Sequence, residues 1–194
     1  MSGPKPSAVG FVMAGGRSER MGRDKALLPR GSSTLLDHAV ARLRSACSDV
    51  RILCGPERRY EGHGADVIVD AIPGAGPLGG VYSGLRSLGG APGLFLAVDL
   101  PDVPEALLAH LLALASGWDA VVPVHAAGEE PLCAVYAPTC AEPIRRCLES
   151  GQLKMTSFWP DVRVRRVDDA EIAAFGDPRR VFRNLNAPED LRPT

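Results

Sequence analysis

The chain has 194 residues, carries 22 Lys and Arg against 23 Asp and Glu, and is 45% hydrophobic with a net charge of -1. That length suits one domain spanning residues 1–194, and near-neutrality gives no reason to expect a nucleic acid or an anionic membrane as partner. No apolar stretch approaches the ~20 residues of a membrane span. Aromatic residues make up only 5%, so the core is expected to be mostly Leu, Val and Ala. The five cysteines (Cys47, Cys54, Cys133, Cys140, Cys147) are odd in number and widely spaced. They form no C-x-x-C pair and have no His at zinc-ligand spacing, which fits reduced, partly buried thiols in a cytoplasmic protein. His38, His63, His110 and His125 are scattered and read as surface or helix-face residues.

In chain order, residues 9–14 form an apolar first strand. It is broken by Gly10 and followed at once by Arg17 and Arg20, which disfavours a signal-peptide core despite Lys5 upstream. A glycine- and arginine-rich loop follows, and a helical pattern begins only beyond Lys25. Leu36, Ala39, Val40, Leu43 and Cys47 recur at helical spacing and predict a crossover helix over 35–47. Residues 50–54 and 66–69 read as strands, the second ending at Asp70. A Gly/Pro loop, I-P-G-A-G-P, leads to a helix over 78–88. The continuous apolar run 93–98 has the character of a central parallel strand. A helix over 104–114 and a strand over 119–124 follow. After a turn at Gly128 come a returning strand over 131–136, a helix over 141–148, an alternating strand over 162–167 and a terminal segment over 181–185. Strands alternating with helices imply a mostly parallel sheet covered on both faces, a Rossmann-like three-layer α/β/α sandwich.

Ligands of such folds bind at the carboxyl ends of strands. The loop at Gly15, Asp70 and Asp99 all fall there. Between Gly15 and Arg30 stand five cations (Arg17, Arg20, Arg23, Lys25, Arg30) against Glu19 and Asp24. Glycines that let backbone N–H groups approach an anion, with cations alongside, suit a phosphate. Neither the Walker A spacing nor G-x-G-x-x-G is present. Asp99 ends an apolar strand, where a carboxylate is well placed to hold Mg²⁺ with nucleotide phosphates. Asp102, just before Pro104, reads as the helix cap, which leaves Asp99 for function. Asp70 reads either as a turn-capping residue or as a ligand contact.

Residues 13–25, M-A-G-G-R-S-E-R-M-G-R-D-K, resemble the signature L-A-G-G-x-S-x-R-M-G-x-D-K of the molybdenum cofactor guanylyltransferases, with Met13 in place of Leu. Further likenesses follow in order. Gly76-Pro77-Leu78-Gly79-Gly80 is similar to the family's G-P-L-x-G, Asp99 heads its D-x-P, and Pro131 to Tyr136 resembles P-L-x-A-x-Y. Asn184-Leu185-Asn186-Ala187-Pro188 resembles N-x-N-T-P, with Ala187 for Thr. The family often has Asn at the end of its second strand, where this chain has Leu53-Cys54-Gly55-Pro56.

The resemblance implies a nucleotide-diphospho-sugar transferase-like fold and transfer of GMP from GTP. The terminal phosphate of molybdenum-bearing molybdopterin attacks the α-phosphate in line, and pyrophosphate leaves. It implies Mg²⁺ at Asp99, phosphate charge met by Lys25 and Arg20, and a nucleotide contacted by Met13, Ala14, Gly15, Gly16, Arg17, Lys25, Asp70, Gly79 and Asp99. Gly22, Lys154, Asn184 and Asn186 would face the acceptor. Asp24 would orient Lys25 or cap the loop. Transient contact with other cofactor-biosynthesis proteins or apo-molybdoenzymes would follow from such a role.

Three rivals are open. A molybdopterin cytidylyltransferase more typically reads A-A-G where this chain has Ala14-Gly15-Gly16, and lacks G-P-L-G-G. A sugar-phosphate nucleotidyltransferase usually has G-x-G-T-R, absent here. A non-catalytic nucleotide-binding regulator would have no reason to keep Lys25, Asp99 and Asn186 together.

Overall fold

A computed structural model describes residues 7–15 and 24–185. The chain runs from β1 (Val9–Met13) to a 3-10 turn (Lys25–Leu27), a small hairpin of β2 (Pro29–Arg30) and β3 (Ser33–Thr34), and α1 (Leu35–Ala46). Next come β4 (Asp49–Leu53), β5 (Asp66–Ile68), α2 (Gly76–Arg86), β6 (Gly93–Ala97) and α3 (Glu105–Ala113). The rest comprises β7 (Ala120–His125), β8 (Gly128–Glu129), β9 (Cys133–Tyr136), α4 (Ala141–Glu149), β10 (Val164–Val167), α5 (Asp169–Ala173) and α6 (Pro178–Val181).

The main sheet has the order β10-β7-β9-β6-β1-β4-β5, with β8 paired to β7. β9 is antiparallel to both β6 and β7, whereas β1, β4, β5 and β6 pair in parallel, as do β7 and β10. The expected alternation of strand and helix thus gives a mostly parallel sheet with β1 near its centre.

Side chains on successive strand residues point to opposite faces, and the two faces carry different cores. Val12, Ile52, Leu94 and Leu96 meet Leu36, Val40 and Leu43 of α1 and Leu107, Leu108 and Leu111 of α3. The expected Leu/Val/Ala composition holds on this face. On the other face Phe11, Leu53 and Phe95 meet Leu78, Val81 and Leu85 of α2 and Ile144 and Cys147 of α4. Here the few aromatics are concentrated. Phe11 and Phe95 stack at 4.7 Å, Tyr136 meets Phe95 edge-on at 5.6 Å, and Phe158 meets Tyr136 at 5.8 Å. Such pairs contribute about 0.5–1.5 kcal/mol each beyond the area they bury, so this face departs from the composition-based expectation.

Local chemistry sets the element ends nearest the site. α1 starts in a capping box: the Asp37 N–H donates to Thr34 Oγ1 (3.1 Å), and the Thr34 N–H donates to Asp37 Oδ2 (2.9 Å). The Thr34 hydroxyl also donates to Asp37, and with His63 nearby the Asp37 carboxyl is held down at about 2. The hairpin turns through Gly31 at φ +62°, a left-handed conformation that suits glycine. α2 begins with Pro77 in its first turn, where the missing N–H is not needed. All five cysteines are buried, more fully than the expected partly buried thiols. Among the described residues no helix is long and apolar enough to cross a membrane.

Candidate active site

The carboxyl ends of β1, β4, β5 and β6 lie side by side, and the chain places Gly15, Gly55, Asp70 and Asp99 just beyond them. The backbones are tied across this edge. The N–H groups of Ala14 and Gly15 both donate to Leu53 O (3.0 and 2.9 Å), that of Asp70 donates to Gly55 O (2.9 Å), and that of Val98 donates to Met13 O (3.2 Å). Gly15 is required by contact: a Cβ there would stand 2.7 Å from the Gly55 nitrogen. Gly55 itself has φ +81°. The Leu53-Cys54-Gly55-Pro56 departure therefore serves a close backbone crossing with the first strand's exit.

The carboxylates of Asp99 and Asp70 stand at this edge. Asp99 Oδ2 lies 4.0 Å from Lys25 Nζ, so the structure brings together the cation and the acid expected to act together. Burial raises the Asp99 carboxyl above its ordinary value, and Lys25 offsets part of that rise. Among the described residues Asp70 Oδ1 is buried with no hydrogen-bond partner, and burial raises this carboxyl too. Among the described residues no turn N–H is seen to donate to it, and the Ala71 N–H donates to Ser83 Oγ (2.8 Å). Beside it, a Cβ on Gly80 would fall 2.9 Å from Met13 Cε and 3.6 Å from Asp70 Oδ1. Met13, Gly80 and Asp70 thus meet in one place. A Cβ on Gly79 would fall 2.6 Å from Ala75 Cβ, so that glycine permits the tight start of α2.

Lys25 is held from its own side. Asp24 caps the 3-10 turn, its Oδ1 accepting from the Ala26 N–H at 3.1 Å. Its Oδ2 accepts from the Tyr60 hydroxyl (2.7 Å) and from Arg59 Nη1 (3.3 Å). The capping expectation for Asp24 therefore holds. Arg59 and Tyr60 were not singled out in the sequence; they sit in a polar loop between β4 and β5 with no periodic signal, about 35 residues from the acid they hold.

Asp102 is not the helix cap. α3 has Pro104 at its N-cap position and no side-chain cap. The Asp102 carboxylate instead accepts from Arg30 Nη2 (3.0 Å) and Arg183 Nη2 (3.1 Å), linking the hairpin after Lys25 to the C-terminal segment. That segment reaches the site: the Leu185 N–H donates to the Asp99 carbonyl (3.0 Å), which brings the exposed Asn184 beside Asp99. Phe182 stacks on the His125 ring at 5.0 Å, and His125 Nε2 pairs with Glu130 at 2.9 Å. His125 is therefore a packed, paired residue and not a surface one.

Asp102→Asn keeps the shape but removes the charge shared by two arginines. With Arg30 and Arg183 partly solvated, each pair is worth about 0.2–1 kcal/mol, which for a chain of this size means a melting temperature lower by roughly 2–4 °C per kcal/mol. Arg30→Ala should do the same by calorimetry. Unchanged melting in both would show the bridge to be idle.

Lys154 is exposed in the loop after α4, and among the described residues no ion pair or hydrogen bond joins its side chain to Asp99 or Lys25. Gly16, Arg17, Arg20, Gly22 and Asn186 lie outside the described residues.

A parallel-stranded sheet whose carboxyl edge gathers a glycine-lined strand exit, a lysine and two half-buried carboxylates defines a nucleotide-binding α/β protein. Comparison with known proteins narrows this. The profile of the MobA-like NTP transferase domain matches residues 10–162. A probable molybdenum cofactor guanylyltransferase of Pelotomaculum thermopropionicum is 35% identical over 184 residues, covering 95% of this chain and 90% of that one. The molybdenum cofactor guanylyltransferase of Desulfosudis oleivorans is 30% identical over 187 residues, covering 95% and 93%. The crystal structure of molybdopterin-guanine dinucleotide biosynthesis protein A from Archaeoglobus fulgidus superposes with a TM-score of 0.79 at 26% identity, covering 94% of both chains. The chain belongs to the MobA-like NTP transferases, the family of these molybdenum cofactor guanylyltransferases.

Proposed function

We propose that the protein transfers GMP from GTP to the phosphate of molybdenum-bearing molybdopterin, with Asp99 and Lys25 as the pair that manages phosphate charge. The observation that carries this is their approach to 4.0 Å at the carboxyl end of β6, beside the exit of β1. The attacking phosphate is already an anion, so the reaction needs alignment and charge neutralisation more than a strong base. Lys25, helped by Arg20, would meet the charge that develops on the leaving pyrophosphate. The N–H groups of Gly15, Gly16 and Arg17 would cradle phosphate, and Met13, Ala14, Asp70 and Gly79 would line the nucleoside. Asn184, Asn186, Gly22 and Lys154 would face the acceptor.

The donor set suits Mg²⁺. Among the described residues no group of three or more His, Cys, Asp or Glu forms a metal cage. Mg²⁺ is usually bound by one or two carboxylates plus substrate phosphates and water, which is what Asp99 at the phosphate end offers. When bound, it supplies positive charge to the triphosphate oxygens. Lys25, 4.0 Å from the same carboxylate, offsets part of the rise that burial imposes on Asp99 and so favours the anionic form that a cation needs. Five buried cysteines at wide spacings, with no C-x-x-C pair, fit a cytoplasmic setting.

A nucleotide panel tests the base preference. With Mg²⁺ present, GTP should raise the melting temperature clearly more than CTP, ATP or UTP, because a ligand that binds only the folded state must stabilise it. Preference for CTP would move the assignment to cytidylyl transfer, and equal shifts with all four would remove base recognition.

A further inference from the structure

The sequence leaves β1 at Ala14-Gly15 and enters the Lys25 turn at Asp24, and one side chain from a distant loop touches both points. The Tyr60 hydroxyl donates to Asp24 Oδ2 at 2.7 Å and lies 3.3 Å from the Ala14 carbonyl oxygen. Tyr60 is 7% exposed, so this is a buried contact. Among the described residues it is the one non-glycine residue with positive φ, at +70°. A bulky residue holds that conformation only where its surroundings over-determine it, and such positions gather at functional sites.

The surroundings here do so. The Arg59 guanidinium lies 5.1 Å from the centre of the Tyr60 ring, donates through Nη1 to Asp24 and through Nη2 to the Cys54 carbonyl (3.2 Å). His63 packs edge-on against the same ring at 6.5 Å. The ends of β1 and β4 and the start of the Lys25 turn are thereby joined at one carboxylate. Burial and the Asp24 bond both push the Tyr60 hydroxyl well above its usual value, so it stays a proton donor. From Asp24 the link to the reaction centre is one residue long: Asp24 caps the turn, Lys25 is its first residue, and Lys25 Nζ faces Asp99.

We infer that Tyr60 is a positioning residue for nucleotidyl transfer, its hydroxyl fixing Asp24 so that Lys25 is presented opposite Asp99. Tyr60 touches no reacting atom; it acts through Lys25. The inference rests on the functional reading of Lys25 and Asp99 given above.

The test is a double-mutant cycle of Tyr60→Phe with Lys25→Ala, read by single-turnover GMP transfer, GTP affinity and melting temperature. Tyr60→Phe keeps the ring and deletes the hydroxyl. It should lower the transfer rate by roughly 10- to 100-fold, the scale of a small misplacement of a catalytic group, while GTP affinity changes far less. In the Lys25→Ala background the same substitution should change the rate hardly at all, since its effect passes through the missing amine. A merely structural role would lower melting but leave the rate per folded molecule unchanged, or would act equally in both backgrounds; either result overturns the inference. Should Tyr60→Phe fail to fold, Arg59→Met in the same cycle removes a second support of Asp24 and must show the same dependence on Lys25. Absence of transfer by the wild type, or a Lys25→Ala enzyme of full activity, would instead sink the functional reading itself.

Discussion

Asp99→Asn is expected to fold and to lose most of its nucleotidyl transfer, on the order of 10²–10³-fold, the range for removing one preorganised charge contact. Asn fills the same space, and the Asp99 carbonyl can still accept from Leu185. What disappears is the anionic oxygen that faces Lys25 and would hold Mg²⁺. The stability readout has a definite sign. Burial raises the Asp99 carboxyl, so its ionised form is disfavoured in the folded protein at neutral pH. Removing that charge should leave the melting temperature equal or higher. Lost activity with undiminished stability marks a residue kept for chemistry. Near wild-type turnover in a folded Asp99→Asn protein would eliminate its role.

Lys25→Ala should raise the barrier by roughly 2–4 kcal/mol, the cost of losing one charge stabiliser in a preorganised site. Charge moves onto the leaving pyrophosphate as the α-phosphate is attacked. A cation that meets this charge matters more in the transition state than in the bound substrate. Single-turnover rates should therefore fall more than GTP affinity. If only affinity changes, Lys25 is a binding residue. Arg30 is unsuitable as a neighbouring control because it is paired with Asp102. Arg145→Ala, on the outer face of α4 and paired with Glu142 and Glu149, serves instead and should leave transfer unchanged.

The long elements were legible because their apolar residues repeat. α1 shows Leu36, Ala39, Val40 and Leu43 on one face, and β6 is buried at all five positions. Both were placed within a residue or two of their ends. α5 was missed because only Ile172 of its five residues is buried, too few to show a period; what makes it a helix is Asp168, which caps it twice. The β2–β3 hairpin has strands of two residues and no pattern to read. At the site, Lys25, Asp70 and Asp99 were visible because each stands where a strand or a recognisable motif ends. Asp102 was misread for the same local reasoning: its position before Pro104 suggested a cap, whereas its partners lie 72 and 81 residues away. Tyr60 and Arg59 belong to the same class, since tertiary contact alone gives them meaning.

The central claim is most directly tested by single-turnover transfer from GTP labelled at either the α- or the γ-phosphate, with Mg²⁺ and molybdenum-bearing molybdopterin as acceptor. The α-label should appear in the acceptor product and the γ-label in pyrophosphate, with CTP a much poorer donor. Failure of the α-label to reach the acceptor at saturating enzyme, or faster transfer from CTP than from GTP, would contradict guanylyl transfer as the function of this site.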